Sequence, residues 1–262
     1  MKTKLNKMWL MAAMFGLFLS ATIPSLPTFA DDRGVKVFPR DSVPYGLTYG
    51  EWSAAWRQWA DGMLASQHPL FDTLNPDVNC SEGQSGPVWF LGGRFCSTAD
   101  LACGASTVER SCTVPKGTAL YFPILNVACL DAEANLDFCF GVTPFAVNPV
   151  RRALADAVDQ ATGLEVSVDD RPLRGNLKKD FRVQSPLYSS VVPEAANPST
   201  NPNLYEAIGE PGIGGKTYIG VDDGIYVMLK PLRPGDHTLH FSGAFGPPPA
   251  FSLDVTYHLT VE

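Results

Sequence analysis

Between residues 251 and 261 apolar and polar side chains alternate without a break. Phe251, Leu253, Val255, Tyr257, Leu259 and Val261 are interleaved with Ser252, Asp254, Thr256, His258 and Thr260. A period of two over that length predicts a strand with one face in a core and the other in water, as in a sheet of an antiparallel sandwich. Strand texture recurs upstream. Aromatic and β-branched runs at 87–91, 109–114, 118–125, 164–168, 224–229 and 237–242 are separated by Gly, Pro and Asp. The runs at 109–114 and 118–125, joined through Pro115-Lys116-Gly117, predict a hairpin with Leu120, Phe122 and Ile124 on one face. Residues 185–216 hold many Pro, Asn and Gly without an apolar period and predict a long loop.

Two helices interrupt the strands. Thr48-Tyr49-Gly50-Glu51 matches a capping box, in which the hydroxyl and the carboxylate each satisfy an orphan amide, and it predicts a helix over 49–66. Trp52, Trp56, Trp59 and Met63 fall on one face of it. Such a stripe either docks the helix on a sheet or offers flat rings to a sugar, and helical spacing favours docking. A second helix is predicted over 149–162, with Asn148 as N-cap, Pro149 at the first position, a stripe of Val150, Leu154, Val158 and Ala161, and Gly163 as the stop.

All six cysteines, Cys80, Cys96, Cys103, Cys112, Cys129 and Cys139, lie within one stretch. There is no Cys-x-x-Cys pair and no adjacent histidine, so disulfides are expected rather than a zinc site. Spacing leaves the connectivity open. The expected pairing is Cys96–Cys103 and Cys129–Cys139 as loop staples, with Cys80–Cys112 tying the loop after the first helix to a strand. An oxidising compartment agrees with the start of the chain, where Lys2, Lys4 and Lys7 precede an apolar run and small residues at Thr28 and Ala30 precede Asp31. That order predicts a signal peptide over 1–30, a single mature domain over 31–262, a secreted or periplasmic location and no membrane insertion after cleavage. The formal net charge is -7, and removing those lysines would make the chain more acidic, which argues against nucleic acid as a partner.

Chemistry-bearing motifs are few. Residues 209–217 imitate a phosphate-binding loop, but Glu210 stands where a glycine is needed and a strand follows in place of a helix. No Gly-x-Ser-x-Gly or Ser-x-x-Lys motif is present. Pairing of 237–242 with 251–261 would set His240 and His258 on the polar face with Asp254, as acid and base or as metal ligands, while His237 faces the other way. Trp89 is the aromatic ligand-binding candidate beside Asp254, His240 and His258. A metal would draw on His240, His258 and the acids Asp131, Glu133 and Asp137, whose spacing does not fit an EF-hand loop; no cofactor is expected.

The set Tyr49-Gly50-Glu51-Trp52 with Trp56 and Trp59, Gly86-Pro87-Val88-Trp89-Phe90-Leu91, Cys112-Thr113-Val114-Pro115, Phe122-Pro123-Ile124-Leu125-Asn126 and Pro234-Gly235-Asp236-His237-Thr238-Leu239-His240-Phe241 resembles a family of exported bacterial hypothetical proteins. The resemblance implies a single exported domain and brings no activity with it. The expected fold is mainly β, a disulfide-stapled antiparallel sandwich, immunoglobulin-like or jelly-roll-like, with two peripheral helices. The expected function is an exported non-catalytic binding protein for a glycan or small polar ligand. The alternatives are a secreted hydrolase or lyase acting on a polymer through carboxylates or histidines, and a structural envelope or interaction protein.

Overall fold

The Thr48 capping box forms as the sequence predicts. The Glu51 amide donates to the Thr48 hydroxyl at 3.3 Å, and the Thr48 amide donates to the Glu51 carboxylate at 2.7 Å. It opens α1 (Tyr49–Asp61) in a computed structural model that describes residues 34–71, 79–96, 107–132, 139, 145–246 and 251–262. The predicted signal segment, Cys103, Glu133 and Asp137 lie outside the described residues. Gly34–Glu262 gathers into one unit. No helix among the described residues is long and apolar enough to cross a membrane.

The fold is mainly β, and the described residues form two five-stranded sheets. The first holds β1 (Val88–Phe90), β3 (Ala119–Leu130) and β8 (Lys216–Leu229) in that order, with β6 (Arg182–Gln184) and β7 (Tyr188–Val192) both paired to β8. The second runs β2 (Val108–Val114), β10 (Ser252–Val261), β9 (Gly235–Phe245), β4 (Ala161–Val168), β5 (Arg171–Pro172). Phe122 of β3 stacks on Phe241 of β9, ring centroids 4.8 Å apart, where the sheets meet face to face. The other face of β3 carries Tyr121, which stacks on Tyr226 of β8, and Trp56 of α1 packs edge-on against Tyr226. β3 and the second half of β8 are therefore covered on both sides, and nearly every residue there is buried.

Several elements differ from the sequence prediction for physical reasons. The segments 109–114 and 118–125 do not form a hairpin, since β2 joins β10 in one sheet and β3 joins β1 and β8 in the other. Both β2–β10 and β1–β3 are parallel, so the sheets are mixed rather than wholly antiparallel. α1 stops at Asp61, where the Gly62 amide closes on the Gln58 carbonyl at 3.2 Å, although Met63 continues the buried stripe. α2 spans Val147–Asp159 and begins after Ala146, with no side-chain cap, because the packing of Val147 beside the Cys129–Cys139 cluster draws the first turn back past Asn148. Gly163 does not end that helix. It sits in β4 with a φ of 61°, at the irregularity where the register with β9 shifts. The predicted loop over 185–216 contains β7 and the one-turn helix α4 (Leu204–Ala207), and α3 (Leu177–Phe181) precedes β6.

The Cys80–Cys112 and Cys129–Cys139 disulfides form as expected. Cys96 is also disulfide-bonded. The turn between β4 and β5 places Asp169 and Asp170 at φ 51° and 59°, the left-handed pair that a two-residue hairpin requires and that Asp tolerates.

Candidate functional site

α1 sets the site. Its tryptophan stripe docks on the first sheet, and every indole N–H on it is used. Trp52 donates to the Pro44 carbonyl at 2.9 Å, Trp56 to Leu91 at 2.7 Å and Trp59 to Glu82 at 3.0 Å. The stripe is thus core, not a sugar platform. Trp89 is likewise only 7% exposed, so it presents no face to a ligand.

One turn apart on α1, Arg57 and Asp61 meet in a buried pair, N to O 2.5 Å. Ser190 of β7 donates to the second Asp61 oxygen at 2.7 Å, and the Tyr205 hydroxyl of α4 donates to the first at 3.0 Å. Burial pushes the Asp61 carboxyl above the ordinary carboxylate range, against the pull of Arg57, Ser190 and Tyr205. Burial opposes the charge on Arg57 more than any single neighbour favours it, but Asp61, Tyr205, Tyr188 and Asp222 together outweigh it, so the guanidinium stays charged. Two polar atoms of this cluster, the Arg57 Nε–H and the hydroxyl of Tyr188, are buried without a hydrogen-bond partner among the described residues. A buried donor left unpaired costs about 1–3 kcal/mol.

A cavity of about 260 Å³ opens beside this cluster. Its wall is mostly apolar, with Trp56, Phe95, Ile124, Leu204 and Ile208, and its polar groups include Arg57, Asn126 and Tyr205. Among the described residues lining it there is no Asp, Glu or His. Asn126 links the cavity to a second buried carboxylate, since its side-chain amide donates to Asp222 of β8 at 2.9 Å. The Tyr226 hydroxyl donates to the other Asp222 oxygen at 2.8 Å. Burial pushes the Asp222 carboxyl up to about 7, while Asn126, Arg57 and Tyr226 draw it down. The next residue, Asp223, points to the opposite face and is held by Arg182 through two bonds of 3.0 Å.

The polar face of the second sheet places the histidines as the alternation predicts. His240 lies opposite Thr256, its Nε2 3.1 Å from Asp254, and His258 lies opposite Thr238 with Glu109 3.9 Å away. Each imidazole has its own acid, and no group of three or more His, Cys, Asp or Glu among the described residues is placed to hold a metal ion. Asp131 is exposed just after β3. His237, facing the other way, is gripped by Asp169 at 2.8 Å and by the Arg233 carbonyl at 2.8 Å.

Sequence reasoning missed Arg57, Asp61, Asn126, Tyr205 and Asp222. The signal that could have found them is an acid pair, Asp222-Asp223, inside an otherwise apolar strand, and an Arg and Asp four apart on a tryptophan-rich helix. No protein-family model matches this chain, and no curated protein matches it. Among solved structures, the solution structure of amebosin is similar at 11% identity, over 60% of this chain and 100% of that one, with a TM-score of 0.16 that carries no argument.

Proposed function

We propose that this is an exported, non-catalytic binding protein for a small molecule, seated in the cavity beside Arg57 with its apolar body against Leu204 and Ile208. One observation carries the reading: a largely apolar cavity is lined by a buried arginine whose Nε–H has no acceptor. An apolar chamber with a few convergent polar groups is the usual form of a small-molecule site. A ligand with an apolar body and one hydrogen-bond acceptor fits this lining better than a glycan, which would need polar partners all round. The hydrolase or lyase alternative has less support, because no carboxylate or imidazole among the described residues lines the cavity. Export rests on the charged and apolar order of residues 1–30, and the disulfides agree with it.

The test is thermal unfolding and tryptophan fluorescence with a panel of small alcohols, ketones and amides. A ligand at a hundred times its Kd adds about 2.7 kcal/mol of stability, a shift of several degrees. The Ile208→Trp variant, which fills the chamber, should unfold as the wild type does and lose the response. If no probe stabilises the wild type, or if Ile208→Trp responds equally, the cavity is not the binding site.

A further inference from the structure

Among the described residues lining the cavity, Asn126 is the one whose side chain hydrogen-bonds the buried acid of β8. Among the described residues its amide makes a single hydrogen bond, Nδ2 to Asp222, which leaves its Oδ1 without a protein donor. Asp222 itself is fully buried and does not reach the cavity. Its carboxyl meets the cavity lining through the Asn126 hydrogen bond and, at longer range, through the charge of Arg57.

We infer that the protonation of Asp222 sets which end of the Asn126 amide faces the cavity, so that one pocket offers an acceptor or a donor according to pH. This rests on the reading of the cavity as a ligand site. With Asp222 ionised, both its oxygens only accept, so the Asn126 NH₂ must point inward and Oδ1 is left for the ligand. When a proton from solvent settles on the Asp222 oxygen facing Asn126, two donors would confront each other. The amide then turns by half a rotation, its Oδ1 accepts from the new O–H, and its NH₂ faces the cavity. Tyr226 goes on donating to the far oxygen throughout.

The groups around Asp222 make that carboxyl titratable near neutrality. Arg57 approaches from α1, Tyr121 and Asn126 from β3, Tyr188 from β7, and Asp223 and Tyr226 from β8 itself, while Ser185 accepts the Asp222 backbone N–H at 2.9 Å. Burial is the largest influence and raises the carboxyl to about 7, with Asp223 adding to it and Asn126, Arg57 and Tyr226 opposing. Arg57 is already matched by Asp61, so it does not hold Asp222 ionised by itself.

The experiment has two arms. In the first, the side-chain amide of Asn126 and the carboxyl carbon of Asp222 are followed by NMR from pH 5 to 9 in the wild type, and Asn126 is followed in Asp222→Asn. The amide signals should move with the same midpoint as the carboxyl, and the movement should vanish in the variant. In the second arm, 2-heptanone, which only accepts hydrogen bonds, and cyclohexane, which forms none, are titrated at pH 5.5 and 8.5. The ketone should bind about fivefold tighter at the lower pH, the worth of one hydrogen bond, and cyclohexane equally at both. The Asn126→Leu variant should bind the ketone equally at both. An Asn126 amide that stays still while Asp222 titrates overturns the inference, as it would if the proton settled between Asp222 and Tyr226. So does a pH dependence that survives in Asn126→Leu. If neither probe binds at either pH, the ligand-site reading fails, and the NMR arm alone decides whether the amide turns.

Discussion

Replacing Asp222 by Asn should make the protein more stable at pH 8 and leave it almost unchanged at pH 4. Asp222 is buried, and its carboxyl is raised from an ordinary 3.8 to about 7. A carboxyl with a higher pKa in the fold binds more protons folded than unfolded in the window between the two values. Stability therefore falls as pH rises from about 4 to about 7, and the loss is complete above that window. At 1.36 kcal/mol per pH unit, this group alone removes on the order of 4 kcal/mol between pH 4 and pH 8. Asn carries the shape of the neutral acid at every pH. It still accepts from Tyr226, and Asn126 can turn its amide to meet the new NH₂. Urea unfolding of wild type and variant at pH 4.5, 6 and 8, followed by tryptophan fluorescence, measures the difference directly, and contributions from more distant titrating groups cancel in it. A variant that is less stable than the wild type at pH 8 would refute the reasoning. It would mean that the ionised carboxylate, with its Asn126 and Tyr226 donors, stabilises the fold.

Truncating Trp56 to Ala should cost about 3–5 kcal/mol by denaturant unfolding, since the ring is buried between Trp59 and Tyr226 and its N–H is bonded to Leu91. His237→Gln should destabilise most below pH 6 and progressively less as pH rises above 6.5. Burial opposes the charge on His237, but Asp169 and the Arg233 carbonyl raise its pKa, so its contribution is fully present below 6.5 and fades as pH climbs through the raised value. A cost that is constant with pH would show the imidazole to be neutral. His240→Ala and His258→Ala should each change stability by within about 0.5 kcal/mol, as polar-face substitutions usually do; a Tm drop above about 5 °C would mean that the face is covered.

What the sequence made legible is what local pattern can encode. The alternation at 251–261 gave β10 to within one residue, the capping box gave the start of α1, and the apolar stripe of Val150, Leu154 and Val158 gave the inner face of α2. The pairing of β2 and β3 was not legible, because a short Pro-Lys-Gly turn looks the same whether the strands it joins pair or diverge into two sheets. β7 was hidden by inverted polarity: Ser190 faces inward to bond Asp61, while Val191 is 62% exposed. The site was hidden for the same reason. Its charged residues sit at positions that periodicity assigns to core, and the need for Arg57 appears only when α1, β7 and α4 are brought together. Asp222-Asp223 broke one strand into two apparent runs, and only the hydrogen bonds of both faces explain why acids are tolerated there.

The place of β10 in its sheet bears on how the chain reaches this state. β10 lies between β2 and β9, although it comes after every other described strand in sequence, and β2 has no other hydrogen-bonded neighbour among the described residues. β4, β5 and β9 can pair in chain order, but β2 cannot join the second sheet as the chain emerges. β2 has to wait, with none of its ladder groups paired, until the most distant strand arrives. Such non-local closure is slow, on the order of milliseconds to seconds. It also leaves an early product with an open sheet edge, the form of a folding chain most exposed to aggregation or to a holding chaperone.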